Sequence, residues 1–126
     1  MSGILFFFLI IVVVVLVHEL GHFITAKLAG VKVLEFGFGF PPRLVAKKWR
    51  GTEYSFNLLP LGGFVRLMGE EDPKEPESLA SKSIPVRLLV LGSGSLMNMV
   101  LPIFLFILTF MFPQQVPVGP VRIIDE

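Results

Sequence analysis

The sequence predicts a membrane protein that is mainly helical, with two transmembrane helices joined by a cytoplasmic, strand-rich β-hairpin loop. Of its 126 residues 53% are hydrophobic and 17% charged, with a mean hydropathy of +0.77, whereas soluble domains carry about 25% charged residues. No charged side chain occurs in residues 1–17 or 88–121. A net charge of +1 excludes a basic nucleic-acid-binding module, and the absence of cysteine excludes disulfides and thiolate metal sites.

The first transmembrane helix is predicted over residues 3–29. Ile4–Val17 is an unbroken apolar run, and His18–Ala29 contains no proline before Gly30, a natural C-cap. A membrane-spanning helix needs about 20 mostly apolar residues, so the run must continue past Val17. A signal peptide is the alternative, but Met1–Gly3 carries no positive side chain. A spanning helix is therefore the preferred interpretation.

The second transmembrane helix is predicted over residues 86–112. This stretch is apolar and is followed by Pro113, which stops a helix. Pro102 lies inside it, and membrane helices tolerate the kink that such a proline produces. Gly92, Gly94 and Ser95 are small and predict a close approach to another helix.

Residues 30–85 predict a β-hairpin region followed by a loop. Short alternating runs bounded by glycine and proline predict antiparallel strands, with Trp49–Thr52 as the hairpin turn. Polar residues 69–83, with Pro73 and Pro76, predict a mobile loop. The strand candidates are Lys32–Phe36, Arg43–Lys47, Glu53–Leu58 and Phe64–Leu67.

The basic residues predict the topology. Ten of the eleven lysines and arginines lie between Lys27 and Arg87. Because positive residues accumulate on the cytoplasmic side of membrane proteins, residues 30–85 are expected in the cytoplasm and both termini on the opposite side.

The chemistry of the chain is concentrated in His18-Glu19-Leu20-Gly21-His22. Two histidines four residues apart share one face of a helix, so both imidazoles can bind one metal ion, usually Zn²⁺. In this pattern the glutamate acts as general base toward the attacking water. Ionisable groups inside a membrane helix are costly, which favours a functional site over histidines that only pair with each other.

The chain resembles the site-2 protease family of intramembrane zinc metalloproteases, in particular the N-terminal portion of the bacterial regulator-of-sigma-E protease type. The likeness runs from about Gly3 to Phe112. One departure is Ser95, where the family commonly has proline. The segments that carry the resemblance are Val17–Phe23, Phe36–Phe40, Pro60–Glu70 and Gly94–Asn98.

The resemblance implies a zinc endopeptidase of the bacterial plasma membrane. Its substrates would be membrane-spanning proteins of the anti-sigma-factor or remnant-signal-peptide type, cleaved within or near the lipid bilayer. Gly37, Phe38 and Gly39 would help to hold an extended substrate, although these residues also fit an interfacial aromatic patch. Asn98 would make a hydrogen bond that supports the site or binds substrate, although helix packing is a second explanation.

His18 and His22 supply only two zinc ligands, whereas a catalytic zinc normally takes three from protein. In the family the third is an aspartate in a later spanning helix, so it is expected beyond Glu126. Residues 113–126 are expected to begin an extracytoplasmic PDZ-like domain, and the isolated chain is expected to be inactive. The alternatives are a metal-binding membrane protein and an inactive, structural family member.

Overall fold

A computed structural model describes residues 2–69, 74–113 and 119. The chain forms helix α1 (Gly3–Leu28), strands β1 (Val33–Trp49) and β2 (Thr52–Leu67), a 3₁₀ helix (Leu79–Ser81) and helix α2 (Ile84–Met111). Two long apolar helices thus flank an antiparallel two-stranded hairpin, as the sequence predicts.

The ends of the helices follow local sequence. The Ser2 hydroxyl accepts a hydrogen bond from the Leu5 amide at 3.4 Å at the start of α1. Gly30 has a φ of +71°, the left-handed conformation that commonly ends a helix. Helix α2 begins two residues before the predicted start, because Pro85 fits in the first turn, where no backbone N–H is needed.

Both helices expose their apolar side chains. Each is long and apolar enough to cross a membrane, by length and composition. None of the most apolar 18-residue stretch of α1 is buried inside the structure, and only 6% of that of α2. A core helix of a soluble protein would bury much of this surface. The exposed surface therefore needs a cover, either lipid or further protein.

The hairpin differs from its prediction in the continuity of its strands. The turn lies at Trp49–Thr52 as predicted, with Arg50 and Gly51 at φ values of +47° and +79°. However, β1 and β2 run through the glycines and prolines that were expected to divide them into four strands. Those residues bend the strands instead, so that Glu35–Phe38 pairs with two segments of β2, Gly63–Arg66 and Glu53–Phe56.

The loop prediction for residues 69–83 is wrong for the part around the 3₁₀ helix. Ser78 and Leu79 are buried, and the Leu79 amide donates to the Met68 carbonyl at 3.1 Å. The Lys32 amide donates to the Glu77 carbonyl at 2.9 Å. Residues 70–73 are outside the described residues, as are 114–118 and 120–126, where the PDZ-like domain is predicted to begin.

A small apolar core forms where α1, the hairpin, the 3₁₀ helix and α2 meet. Its centre places the last turns of α1 against the first turns of α2, which brings the predicted histidines close to α2. The buried members are Ala26, Val31, Val33, Leu67, Leu79 and Val90.

Candidate active site

The two helices approach each other most closely beside the histidines. Gly21 is buried, and a Cβ added there would lie 2.5 Å from the Ser93 carbonyl oxygen, so only glycine permits this approach. The Thr25 hydroxyl also lies 2.9 Å from the Ser93 hydroxyl. These small and polar contacts fix the position of α2 relative to the histidines of α1.

His18 and His22 turn their imidazoles toward one point. Their Nε2 atoms lie 3.1 Å apart. The Nδ1 of His22 lies 2.8 Å from the Val90 carbonyl oxygen, which can only accept, so Nδ1 carries the proton. The Nε2 of His22 then has a free lone pair in the neutral ring, which is the form that binds a metal ion.

Asn98 lies beside the other imidazole. Its Nδ2 lies 3.5 Å from the Nδ1 of His18, and its Oδ1 is buried without a hydrogen-bond partner among the described residues. A half-turn of the amide exchanges these two atoms and places an acceptor beside Nδ1. His18 would then donate through Nδ1 and present its Nε2 lone pair next to that of His22.

This pair of nitrogens fits zinc. Two imidazole nitrogens 3.1 Å apart are close enough to bind one zinc ion, because Zn–N bonds are about 2.0–2.1 Å long. The same separation also suits an N–H···N hydrogen bond between the two rings, so the surroundings of the two nitrogens matter as well.

Gly94 faces the two Nε2 atoms at close range. A Cβ added at Gly94 would lie 2.5 Å from the Nε2 of His22 and 2.6 Å from that of His18. The predicted close approach at Gly94 is therefore confirmed, and the group it faces is the histidine pair. The packing role predicted for Gly92 is wrong, because apart from its chain neighbours and the backbone of its own helix no described atom lies within 4 Å of its Cβ position.

Glu19 lies beside β2. A cavity of about 200 Å³ is lined by Glu19 and His22 of α1, Val65 and Leu67 of β2, and Val90 and Leu91 of α2. A Cβ added at Gly63 would lie 3.8 Å from the Cγ of Glu19. The carboxylate and an imidazole thus share a cavity with a strand. The sequence predicts only that Val65 and Leu67 belong to a strand. Their alternation places them on one face of that strand, but it does not show which other element packs against that face.

Gly37, Phe38 and Gly39 lie inside the hairpin, where their described contacts are with the sheet itself. A Cβ at Gly37 would collide with the Phe64 ring, and Gly39 has a φ of +75°. The Asn57 amide donates to the carbonyls of Phe38 and Gly39, each at 3.2 Å. Sheet geometry accounts for these residues, and their contact with substrate stays a prediction.

No group of three or more histidine and acidic side chains that could hold a metal ion occurs in the part of the chain that the structure describes. Glu35, a buried carboxylate of the hairpin, has its partners within the hairpin. Its oxygens bind Arg43 at 2.9 Å, Ser55 at 2.6 Å and Arg66 at 3.0 Å.

Comparison with known proteins decides the family. A sequence model of Peptidase family M50 matches residues 6–123. The chain belongs to this family. Its relatives include proteins named "Putative zinc metalloprotease" in Clostridium perfringens (46% identical over 105 residues, 82% of this chain and 31% of the relative), Clostridium acetobutylicum (43% over 93 residues, 73% and 27%) and Thermotoga maritima (41% over 99 residues, 74% and 20%).

Membership of Peptidase family M50 confirms the resemblance to site-2 proteases and supports a metalloprotease. The chain spans less than a third of the length of these relatives.

Proposed function

We propose that this chain forms the hydrolytic part of an intramembrane zinc endopeptidase, in which His18 and His22 bind Zn²⁺ and Glu19 is the general base. The observation that carries the proposal is the pair of Nε2 atoms 3.1 Å apart, facing a glycine of the second helix. Both nitrogens belong to a helix that is long and apolar enough to span a bilayer.

Each side chain has a separate role in peptide hydrolysis. The Val90 carbonyl and the Asn98 amide orient the two imidazoles, so that both present lone pairs toward Gly94. Glu19 takes a proton from the attacking water and returns it to the leaving amine. When bound, zinc lowers the pKa of water and polarises the scissile carbonyl. The cavity beside Glu19 supplies the room for the reacting peptide.

Substrate would bind as an added strand. A helix hides its peptide bonds, so a membrane-spanning substrate has to unwind before hydrolysis. The Gly63–Leu67 segment of β2 pairs with β1 on one side and runs next to Glu19. Its other edge can pair with an extended segment, as in other strand-addition complexes. The proposed substrates are membrane proteins of the anti-sigma-factor or remnant-signal-peptide type.

We place the third zinc ligand beyond Glu126. Two observations support this: the described residues hold no third candidate near the histidines, and the relatives are more than three times as long as the matched region. The chain alone is then expected to bind zinc weakly and to cleave nothing.

The proposed topology has α1 and α2 spanning the bacterial plasma membrane, with residues 30–85 joining them on the cytoplasmic side. In this topology the part of β2 at Pro60 and Leu61 would lie deeper in the bilayer than a purely cytoplasmic loop. These two residues line a cavity of about 360 Å³ together with residues of α1, which are Leu5, Phe8, Leu9 and Val12. Val12 lies 15 residues before Lys27, or about 22 Å along the helix. Pro60 and Leu61 would therefore re-enter the bilayer.

Because the chain has no native cysteine, single cysteines test this topology in intact cells. A cysteine at exposed Glu75 should react with a maleimide only after the cytoplasmic face is made accessible, and one at Leu61 should resist a membrane-impermeant maleimide from both faces. Reaction of Glu75→Cys from outside would reverse the topology.

Glu19→Gln in the complete protein tests the catalytic assignment. Removal of a general base should slow cleavage of a membrane-bound substrate by about 10²–10⁴-fold, while zinc content stays unchanged because no ligand is lost. Glu75→Gln, at an exposed position outside the cavity that Glu19 lines, is the matched control and should cleave normally. Normal cleavage by Glu19→Gln would refute the assignment, and a native protein with zinc but no cleavage of any substrate would favour a metal-binding or structural role.

A further inference from the structure

A basic cavity of about 380 Å³ lies at the carboxyl end of α1, away from the proposed hydrolytic centre. It combines three cations, from the last turn of α1, the link to β1 and the hairpin turn, with a single carboxylate. Its lining residues are Lys27, Gly30, Val31, Lys32, Arg50, Gly51 and Glu77.

None of the three cations forms an ion pair with a described acidic residue, and Glu77 offsets only one of the three charges. In the described ranges, ion pairs join Arg43 and Arg66 to Glu35 and Glu53, and none includes a cation of the cavity. An excess of positive charge in one concave surface attracts anions.

Two of the cations are held in position by uncharged groups. The Lys27 ammonium donates to the buried Thr52 hydroxyl at 2.7 Å, and that hydroxyl donates to the Val33 carbonyl at 2.9 Å. The Arg50 guanidinium lies 4.6 Å from the centre of the Trp49 ring. These contacts orient the charges without cancelling them, so an anion would meet a partly organised site.

Two glycines line the cavity and leave their backbone uncovered by side chains. Apart from its chain neighbours, Gly51 has no described atom within 4 Å of its Cβ position. At Gly30 that position lies 3.6 Å from the Lys82 ammonium. Lys82 therefore adds a fourth cation near the cavity. A tetrahedral phosphate can accept hydrogen bonds from several such groups at once.

The cavity is placed at the level expected for lipid headgroups. Lys27 is in the last turn of a membrane-length helix. Trp49 is 56% exposed and lies against Tyr54, with ring centres 6.3 Å apart. Tryptophan and tyrosine are enriched at membrane–water interfaces, and basic pockets on the cytoplasmic side of transmembrane helices bind anionic headgroups.

We propose that this cavity binds the headgroup phosphate of an anionic glycerophospholipid of the cytoplasmic leaflet. The inference rests on the proposed insertion of α1 in the membrane but not on proteolysis. Its test therefore uses lipid binding alone, and loss of peptidase activity would leave it standing.

The experiment titrates the purified chain in detergent with phosphatidylglycerol, phosphatidylcholine or inorganic phosphate, and counts bound ligand by native mass spectrometry. Lys32→Gln with Arg50→Gln removes two cations from exposed positions, and the hydrogen bonds described at Lys32 are made by its backbone. Lys47→Gln with Lys48→Gln removes two exposed cations of β1 that do not line the cavity.

Phosphatidylglycerol should bind more tightly than phosphatidylcholine. The Lys32/Arg50 variant should bind it about 30-fold more weakly, since each cation near a membrane surface contributes about 1 kcal/mol. The Lys47/Lys48 variant should stay within about twofold, because neither side chain lines the cavity.

Equal loss in both double variants, or equal binding of the two lipids, would overturn the proposal. Binding of inorganic phosphate as tightly as phosphatidylglycerol would overturn a lipid as the source of the phosphate. Each single variant, Lys32→Gln and Arg50→Gln, repeats the test with a smaller perturbation, and circular dichroism establishes that each remains helical.

Discussion

Two buried polar clusters differ in whether their hydrogen bonds are complete. In the hairpin, the side chain of Glu35 is 6% exposed, and both of its carboxylate oxygens have partners, Arg43 and Ser55 on one and Arg66 on the other. Between the helices, Asn98 has a buried oxygen with no partner in the described residues, and two imidazole nitrogens face the space left by Gly94.

The difference distinguishes a polar cluster that the protein completes by itself from one that a bound group could complete. A buried charge is costly unless it is paired and hydrogen-bonded, so the completed Glu35 cluster holds the bent strands together. An incomplete cluster retains that cost until something binds. In the histidine cluster, a half-turn of the Asn98 amide completes the contact with His18, whereas on the side facing Gly94 the two Nε2 atoms have only each other as partners.

Gly94→Ala tests the open side of the histidine cluster. Its methyl group would occupy the space next to both Nε2 atoms, so zinc affinity should fall by more than about a hundredfold, beyond the loss usual for an outer hydrogen bond. Competition with a chromophoric chelator measures this affinity. Gly92→Ala, two residues away with no described neighbour within 4 Å, should bind zinc like the native chain. Unchanged affinity in Gly94→Ala would mean that zinc does not bind at this point.

Asn98 variants test whether a hydrogen bond from His18 to Asn98 orients the imidazole of His18. Asn98→Leu removes the acceptor for His18 and should weaken zinc binding by about 10–100-fold. Asn98→Asp offers an oxygen in either orientation of its carboxylate, so zinc binding should be preserved. Loss of zinc in both variants would contradict an acceptor role toward His18, and loss in neither would leave Asn98 to substrate binding or helix packing.

Glu35→Gln tests the completed cluster. It weakens hydrogen bonds to two arginines that are about half exposed, so the free energy of unfolding should drop by about 1–3 kcal/mol. Glu53→Gln, which affects one contact with Arg43, should cost less than about 1 kcal/mol. Thermal unfolding in detergent measures both. Zinc affinity should be unchanged, and its loss in Glu35→Gln would show that the two clusters are coupled.

The sequence was sufficient to predict the helices and the pairing of His18 with His22, because both depend on local spacing. It was insufficient for the strands, since glycine and proline bend an extended strand as readily as they end it. It also could not relate Gly94 to the histidines, because that contact depends on how α2 is placed against α1. Leu79 was missed for a similar reason: one apolar residue in a polar segment does not reveal where it packs.

The Val90 carbonyl makes the orientation of His22 sensitive to the sliding of one helix along the other. It accepts hydrogen bonds from His22 Nδ1 at 2.8 Å and from the Ser93 hydroxyl at 2.6 Å. A shift of α2 by one residue is about 1.5 Å along its axis, whereas a catalytic constellation tolerates about 0.5 Å. A displacement of α2 by a single residue would therefore take the acceptor away from His22 Nδ1 and free the imidazole to rotate, although neither histidine would have changed.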